Sequence, residues 1–321
     1  MPDLMRARLL AFAVAVLMVV AAIVVRGRID KKHEDTTNPL RLVCSTELQA
    51  VCDALPATIQ ITYASAAETA NELSGTTPPR ADGWLTTGPW PEIVRERRTR
   101  NGQDALLTQS AALARSPIVV VAAPDRATVI SRNCAGIALK CVGDLASKPA
   151  WTAIPGGSAA WGQVKVSLTP PDVEASGLVA LAAATASYFG NPNLSSTDLD
   201  DPGFGSWLHG IVSSSRGDQL GQMVAVGPSV ADFAITLESL AKPLVGAAAN
   251  KPVLLYPSTV ATADVVLGTF DTSRSRRLAD IVRSSNALRS AGWQAPSTAP
   301  SGLPPAGFLD ALRAAWGEAS R

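Results

Sequence analysis

Between residues 40 and 293, short runs of β-branched and apolar residues alternate with stretches of helical spacing. This alternation confines the chain to a mainly parallel sheet covered by helices on both faces. LRLV (40–43) reads as the first strand, with Ser45 and Thr46 capping a helix that runs to about residue 54. ATIQITY (57–63) alternates with period two and reads as the second strand, and Ser65 and Glu68 then have the spacing of a capping box. ADGWLT (81–86) is a third, leading through Gly88 and Pro89 into a helix near residues 90–95. SPIVVVAA (116–123) is a strand apolar on both faces. In the second half VKVSL (164–168), MVAV (223–226), PVLLY (252–256) and ADVVLGTF (263–270) read as strands. Helices are expected at 178–189, at 228–241 and around the stripe Leu278, Ile281 and Val282. Asp172 and Glu174, ahead of the first of these, read as a solvated helix start.

A second feature bears on compartment. LLAFAVAVLMVVAAIVV (9–25) contains no polar side chain and is flanked by Arg6, Arg8, Arg26 and Arg28. As a helix it spans roughly 25 Å, the lower limit for a hydrocarbon core of about 30 Å, and the arginines can snorkel to both interfaces. Residues 1–28 therefore read as a single-pass transmembrane anchor or as a cleaved signal sequence, with residues 29–39 as a polar tether. Basic residues on both flanks leave orientation open by charge.

The four cysteines fall into two close pairs, Cys44 with Cys52 and Cys134 with Cys141. Such spacing permits local disulfides, although four cysteines allow three pairings and free buried thiols are a further reading. Neither spacing is that of a zinc site, and His33 and His209 complete no ligand pattern, so neither metal nor cofactor is expected. Paired cysteines behind a membrane segment fit an oxidising exterior, with the chain at the cell membrane and its bulk extracytoplasmic.

A formal net charge of +1 with 17% charged residues provides no electrostatic footprint for nucleic acid. The sequence has no G-x-S-x-G elbow, H-E-x-x-H pair or Walker loop, so no enzyme activity and no catalytic residue is expected. Residues 295–305 are a Pro/Ser linker, and the segment after it places Phe308, Leu309, Leu312, Ala315 and Trp316 on one helical face. That amphipathic helix, residues 306–321, either docks back on its own domain or offers its apolar face to a partner or a membrane surface.

The ordered stations RLVCSTEL, ITYASAAETANEL, ADGWLTTGPWPEIV, SPIVVVAAP, CVGDLA, KVSLTPPDVEASGLVALAAA, PVLLYPSTVATADVVL and LADIVRSSNALRSAGW resemble bacterial extracytoplasmic solute-binding proteins of the second structural type. Within that group the chain resembles the membrane-tethered actinobacterial form, often joined to a von Willebrand factor A domain, whose aspartate- and Trp-containing strand is matched by Asp82, Gly83, Trp84 and Leu85. The residues after Trp293 are too few for that extra domain. The resemblance implies an α/β, two-lobed periplasmic-binding-protein type 2 (Venus flytrap) fold over residues 40–294, preceded by one transmembrane helix. Lobe I would comprise about 40–120 and 250–294, and lobe II about 121–249. It further implies a small-molecule ligand and, as partner, an ABC-transporter permease or another envelope protein.

Sheet physics points to the same place for a ligand. In open parallel sheets ligands sit at the carboxyl ends of strands, where helix N-termini offer free N–H groups and partial positive charge. The candidates are Ser45, Thr46, Ser65, Thr86 and Thr87 in the first half and Thr169, Ser176 and Gly177 in the second. Trp84 and Trp90 would wall the cleft and Tyr256 would close over it from the hinge side, although each hydroxyl also reads as a helix cap and each Trp as core. Two functions follow. One is a receptor that binds a small polar or anionic ligand between its lobes, for transport or sensing; the other is an envelope interaction or scaffold protein that keeps the fold without a ligand. A hydroxyl-lined cleft favours the first, and a cleft plugged by apolar side chains the second.

Overall fold

A computed structural model describes residues 38–258, 261–270, 272–297 and 301–321. The apolar run at 9–25 and most of the tether lie outside the described residues, among which no helix is long and apolar enough to cross a membrane.

The strands are β1 (Leu40–Ser45), β2 (Ile59–Ala64), β3 (Gly83–Thr87), β4 (Thr108–Gln109), β5 (Ala114–Ala122), β6 (Val166–Ser167), β7 (Phe233–Leu237), β8 (Val253–Leu255) and β9 (Thr262–Thr269). The helices are α1 (Gln49–Asp53), α2 (Ala66–Leu73), α3 (Trp90–Arg100), α4 (Pro124–Asn133), α5 (Leu139–Ala146) and α6 (Ala175–Phe189). They continue with α7 (Pro202–Ser214), α8 (Leu220–Val226), α9 (Glu238–Ala247), α10 (Ser273–Ser284), α11 (Ala287–Ser290) and α12 (Ala306–Ala319). The strand order is β2-β1-β3-β9-β5-β7-β6, with β4 beside β9 and β8 beside β5.

Strand β5 makes this sheet two-lobed. Its first part, Ala114 to Pro117, pairs with β9, whereas Ile118 to Ala122 pair with β7 and Val120 to Ala122 with β8. The chain thus passes from lobe I to lobe II inside one strand and returns between β8 and β9. The expectation of a mainly parallel sheet needs correction here. Pairs β1–β2, β1–β3 and β6–β7 are parallel, but every pair that involves β5 or β9 is antiparallel. A strand that returns directly to the other lobe needs no crossover helix, so it enters its sheet in the opposite sense.

Two further expectations are corrected in lobe II. Residues 223–226 are the end of helix α8, where Leu220, Met223 and Val224 form the buried face and Gly227, at φ 103°, stops the helix. Residues 228–241 are not one helix: FAITL forms the fully buried strand β7, and α9 begins only at Glu238. Being buried on both faces, this strand shows no alternation. Helix α6 is likewise buried all round from Ala175 to Thr185, which makes it the central post of lobe II.

Cys44–Cys52 and Cys134–Cys141 form disulfides with Cα separations of 6.6 and 5.5 Å, so the pairing is the local one. Helix α12 docks on its own domain. It buries Phe308, Leu309, Leu312 and Trp316 against α3 of lobe I and against α6, α7 and the turn at 196–200 of lobe II. Asp310 on this helix pairs with Arg97 and Arg100 of α3 at 2.7 and 2.6 Å. The C-terminal segment is therefore a strap across both lobes.

Candidate functional site

Strand β1 ends at Ser45, and the chain turns at once through Thr46 and Glu47. Opposite, in lobe II, Thr169 follows β6 and leads round to Glu174, the residue before α6. The two glutamates exchange lobes. Glu47 Oε2 accepts the backbone N–H of Ser176 at 2.9 Å, so a lobe I carboxylate caps the lobe II helix α6, while its Oε1 accepts the Thr87 hydroxyl at 2.7 Å. Glu174 Oε2 accepts the backbone N–H of Ala66 at 3.3 Å, so a lobe II carboxylate caps the lobe I helix α2, and its Oε1 accepts the Thr46 hydroxyl. Beside them the Ala67 N–H donates to the Val173 carbonyl at 3.0 Å. Helix starts carry free N–H groups and partial positive charge, which is why carboxylates settle there.

Neither glutamate has a cation beside it among the described residues. Burial pushes the Glu47 carboxyl above its usual range, against the pull of the Thr87 and Ser176 donors. Burial, then the charge of Glu47, pushes Glu174 up to about 7.

A cavity of about 660 Å³ lies between the lobes beside this pair. Lobe I contributes Thr46, Glu47, Val51 and Trp293, and lobe II contributes Thr169, Glu174, Ser176, Asp218, Thr236 and Ser239, with Leu220, Leu240 and Leu244 as apolar wall. No lysine, arginine or histidine is among the described residues that line it. Ser239 is 4% exposed and its hydroxyl has no hydrogen-bond partner.

The structure brings Thr46, Thr169 and Ser176 together at this cavity, with Thr87 one shell behind, holding Glu47. Gly177 lies under them, where a Cβ would come within 1.9 Å of the Thr169 carbonyl oxygen, so only glycine lets the 169–170 backbone cross the start of α6. The other candidates stand elsewhere. Ser45 and Thr86 are buried and bonded to each other at 2.8 Å. Ser65 is spent on its capping box with Glu68. Trp84 and Trp90 do not wall the cleft: at 1% and 0% exposed they are core of lobe I, because their strand and helix turn them inward. Tyr256 does not cover the cavity; it is half-exposed and its hydroxyl donates to Glu238 at 2.8 Å. Glu174 is no solvated helix start, being 7% exposed.

Glu47, Asp218, Ser239 and Trp293 were not among the sequence candidates. Glu47 carries a readable signal, since it directly follows the hydroxyl pair at the end of β1. Ser239 carries no signal of its own, because in sequence it lies inside the stretch 228–241 that reads as one helix, whereas the helix begins only at Glu238. His209 is exposed on α7, and no group of three metal-ligating side chains occurs among the described residues.

No family model matches this chain, and no curated protein matches it by sequence. Solved structures do. The periplasmic binding protein AfuA of Actinobacillus pleuropneumoniae, solved with exogenous fructose-6-phosphate bound, superposes with a TM-score of 0.58 at 9% identity, over 89% of this chain and 97% of that one. An extracellular solute-binding protein of Bordetella parapertussis gives 0.55 at 9% identity, over 88% and 98%. The sulfate-binding protein SubI of Mycobacterium tuberculosis H37Rv gives 0.51 at 14% identity, over 84% and 89%. The chain has the two-lobed fold of periplasmic binding proteins.

Proposed function

We propose that this chain is an extracytoplasmic binding protein, anchored by residues 9–25 and tethered by 29–39, that closes two lobes on a small polar ligand. The lobes are residues 40–120 with 250–294, and residues 121–249. One observation carries the reading: the cavity of about 660 Å³ lies between the lobes and draws polar side chains from both, Thr46 and Glu47 from one, Thr169, Ser176 and Ser239 from the other. A ligand that touches both walls favours the closed arrangement, which a permease or an envelope partner can then read. The anionic ligand expected from the helix N-termini is not carried forward. The starts of α2 and α6 are already capped by Glu174 and Glu47, and a second anion there would face two carboxylates.

A second reading draws on the same closure. The chain's own glutamates and the α12 strap hold the lobes together, as an envelope scaffold without a ligand would require. A thermal-shift screen of the full-length chain in nonionic detergent decides between them, using sugars, amino acids, inorganic anions and amines. A ligand at a hundred times its Kd adds about 2.7 kcal/mol of stability, a readily measured shift. If no compound moves the midpoint, the scaffold reading stands and the receptor reading falls.

A further inference from the structure

We propose that the cleft takes an organic cation: a primary or quaternary ammonium on a short apolar body. The proposal rests on the reading that the interlobe cavity is a ligand site, and it names the class of ligand. Among the described residues three charged side chains line the cavity, and all are carboxylates: Glu47, Glu174 and Asp218. The nearest basic side chains on the walls are spent or turned away. Lys242 on α9 pairs with Glu238 at 3.5 Å, and Arg289 on α11 is not a lining residue.

The Glu174 oxygens accept from the Thr46 hydroxyl and the Ala66 N–H, one donor each, whereas a carboxylate oxygen has two lone-pair directions. Acceptor capacity is left over on Glu174 in a buried place where no cation stands beside it among the described residues, and buried anions of this kind are costly unless paired. The independent sign of a ligand is Ser239. This residue borders the cavity, is only 4% exposed and has a hydroxyl with no partner. That hydroxyl lies just behind the wall, and a turn of the side chain brings it to a polar ligand atom. The remaining wall, with Val51, Leu220, Leu240, Leu244 and Trp293, suits a hydrocarbon stem. The carboxylates do not converge as a metal site would require: no group of three metal-ligating side chains occurs among the described residues.

The titratable groups near the ammonium position are Glu47, Glu174, Asp218 and Glu68, the last through its charge on Glu174. With Glu174 at about 7 before binding, the cation must displace a proton below that pH. Its affinity is then expected to be about tenfold weaker at pH 6 than at pH 8.

The test is isothermal titration calorimetry on the full-length chain in nonionic detergent with putrescine, spermidine, choline and tetramethylammonium, against sulfate, glucose 6-phosphate and glucose. The expected result is saturable binding of at least one ammonium compound, weakened at pH 6 and lowered at least tenfold in both Glu47→Gln and Glu174→Gln. Asp218→Asn, at an exposed position that leaves folding alone, is expected to lower it several-fold. If sulfate, the sugar phosphate or glucose binds and no ammonium compound does, the cation class is wrong while the cleft reading survives. If nothing binds up to 10 mM, both fall. Ammonium binding that is indifferent to all three substitutions places it outside the cleft and overturns the proposal.

Discussion

Two regions tie lobe I to lobe II, and they treat buried carboxylates in opposite ways. On the strap, Asp310 is 12% exposed at its side chain and meets Arg97, Arg100 and Arg313 at 2.7, 2.6 and 3.4 Å. Burial pushes this carboxyl up, but the three guanidinium groups outweigh it and hold it below the usual range. In the cleft, Glu47 and Glu174 have helix N–H groups and hydroxyls but no cation among the described residues, and both are pushed up. Hydrogen bonds alone do not replace a counter-charge once water is excluded. The strap is thus a finished joint, whereas the cleft holds charge still open to a partner.

The largest effect that can break this contrast is removal of the strap. A chain ending at Pro305 loses the burial of Phe308, Leu309, Leu312 and Trp316. At about 1.5–3 kcal/mol for each large side chain, the loss is on the order of 6 kcal/mol or more. The melting midpoint by circular dichroism is expected to fall by about 15 °C, taking about 2–4 °C per kcal/mol. A midpoint within 3 °C of the intact chain means that α12 is an appendage and not a joint, and the face it covers is then free for a partner.

The next effect separates the two carboxylate sites by pH. Glu174 has a folded-state pKa of about 7 against an ordinary value of 4.5. Its protonated form is favoured by the fold, so this stabilisation is complete below 4.5 and is lost as pH rises through 7. The difference is on the order of 3 kcal/mol. Asp310 runs the other way: its contribution is present above 3.8 and is lost as pH falls through its lowered value. Denaturant unfolding from pH 5 to 8 is expected to show falling stability in the native chain and a clearly shallower fall in Glu174→Gln, where only Glu47 remains pushed up. A flat native profile would show that the cleft carboxylates are as well compensated as Asp310.

Asp310→Asn comes third. The amide keeps the shape but leaves Arg97 and Arg313, 13% and 24% exposed at their side chains, facing no charge. A loss of about 2 kcal/mol is expected at pH 7, between the roughly 0–1 kcal/mol of an exposed pair and the roughly 3–5 kcal/mol of breaking a fully buried one. Glu174→Gln at pH 8 is expected to change stability in the opposite direction. If both substitutions destabilise equally, the two sites do not differ in charge compensation.

Much of the scaffold was legible along the chain because it is local. The strands at 40–43, 57–63, 81–86 and 263–270 carry β-branched residues in short runs with turn residues between them, and such patterns do not depend on distant partners. FAITL failed that test. It adjoins the helix-forming stretch ESLAKPL, and only its neighbours β5 and β6 make it a strand. The cleft pair was legible in position but not in role. Thr46 and Glu174 stand 128 residues apart and Glu47 and Ser176 stand 129 apart, so their pairing exists only once the lobes have met. A Glu before a helix normally faces water. Here a second lobe takes the water's place.

The smallest stability effect sharpens the contrast most, because it separates fold from ligand. Ser239 heads α9, and its backbone N–H already donates to Ser116 Oγ at 2.9 Å, so the side chain is not needed as a cap. Its hydroxyl has no partner, and desolvating such a group costs about 1–3 kcal/mol. Ser239→Ala is therefore expected to leave the unfolding free energy within about 0.5 kcal/mol of the native value or to raise it. Ammonium binding, by contrast, is expected to weaken about fivefold, near 1 kcal/mol. A structural serine would show the reverse: lowered stability and unchanged titration. Substituting a residue on the strap should never produce this split, because no buried polar side chain of α12 lacks a partner for a ligand to satisfy.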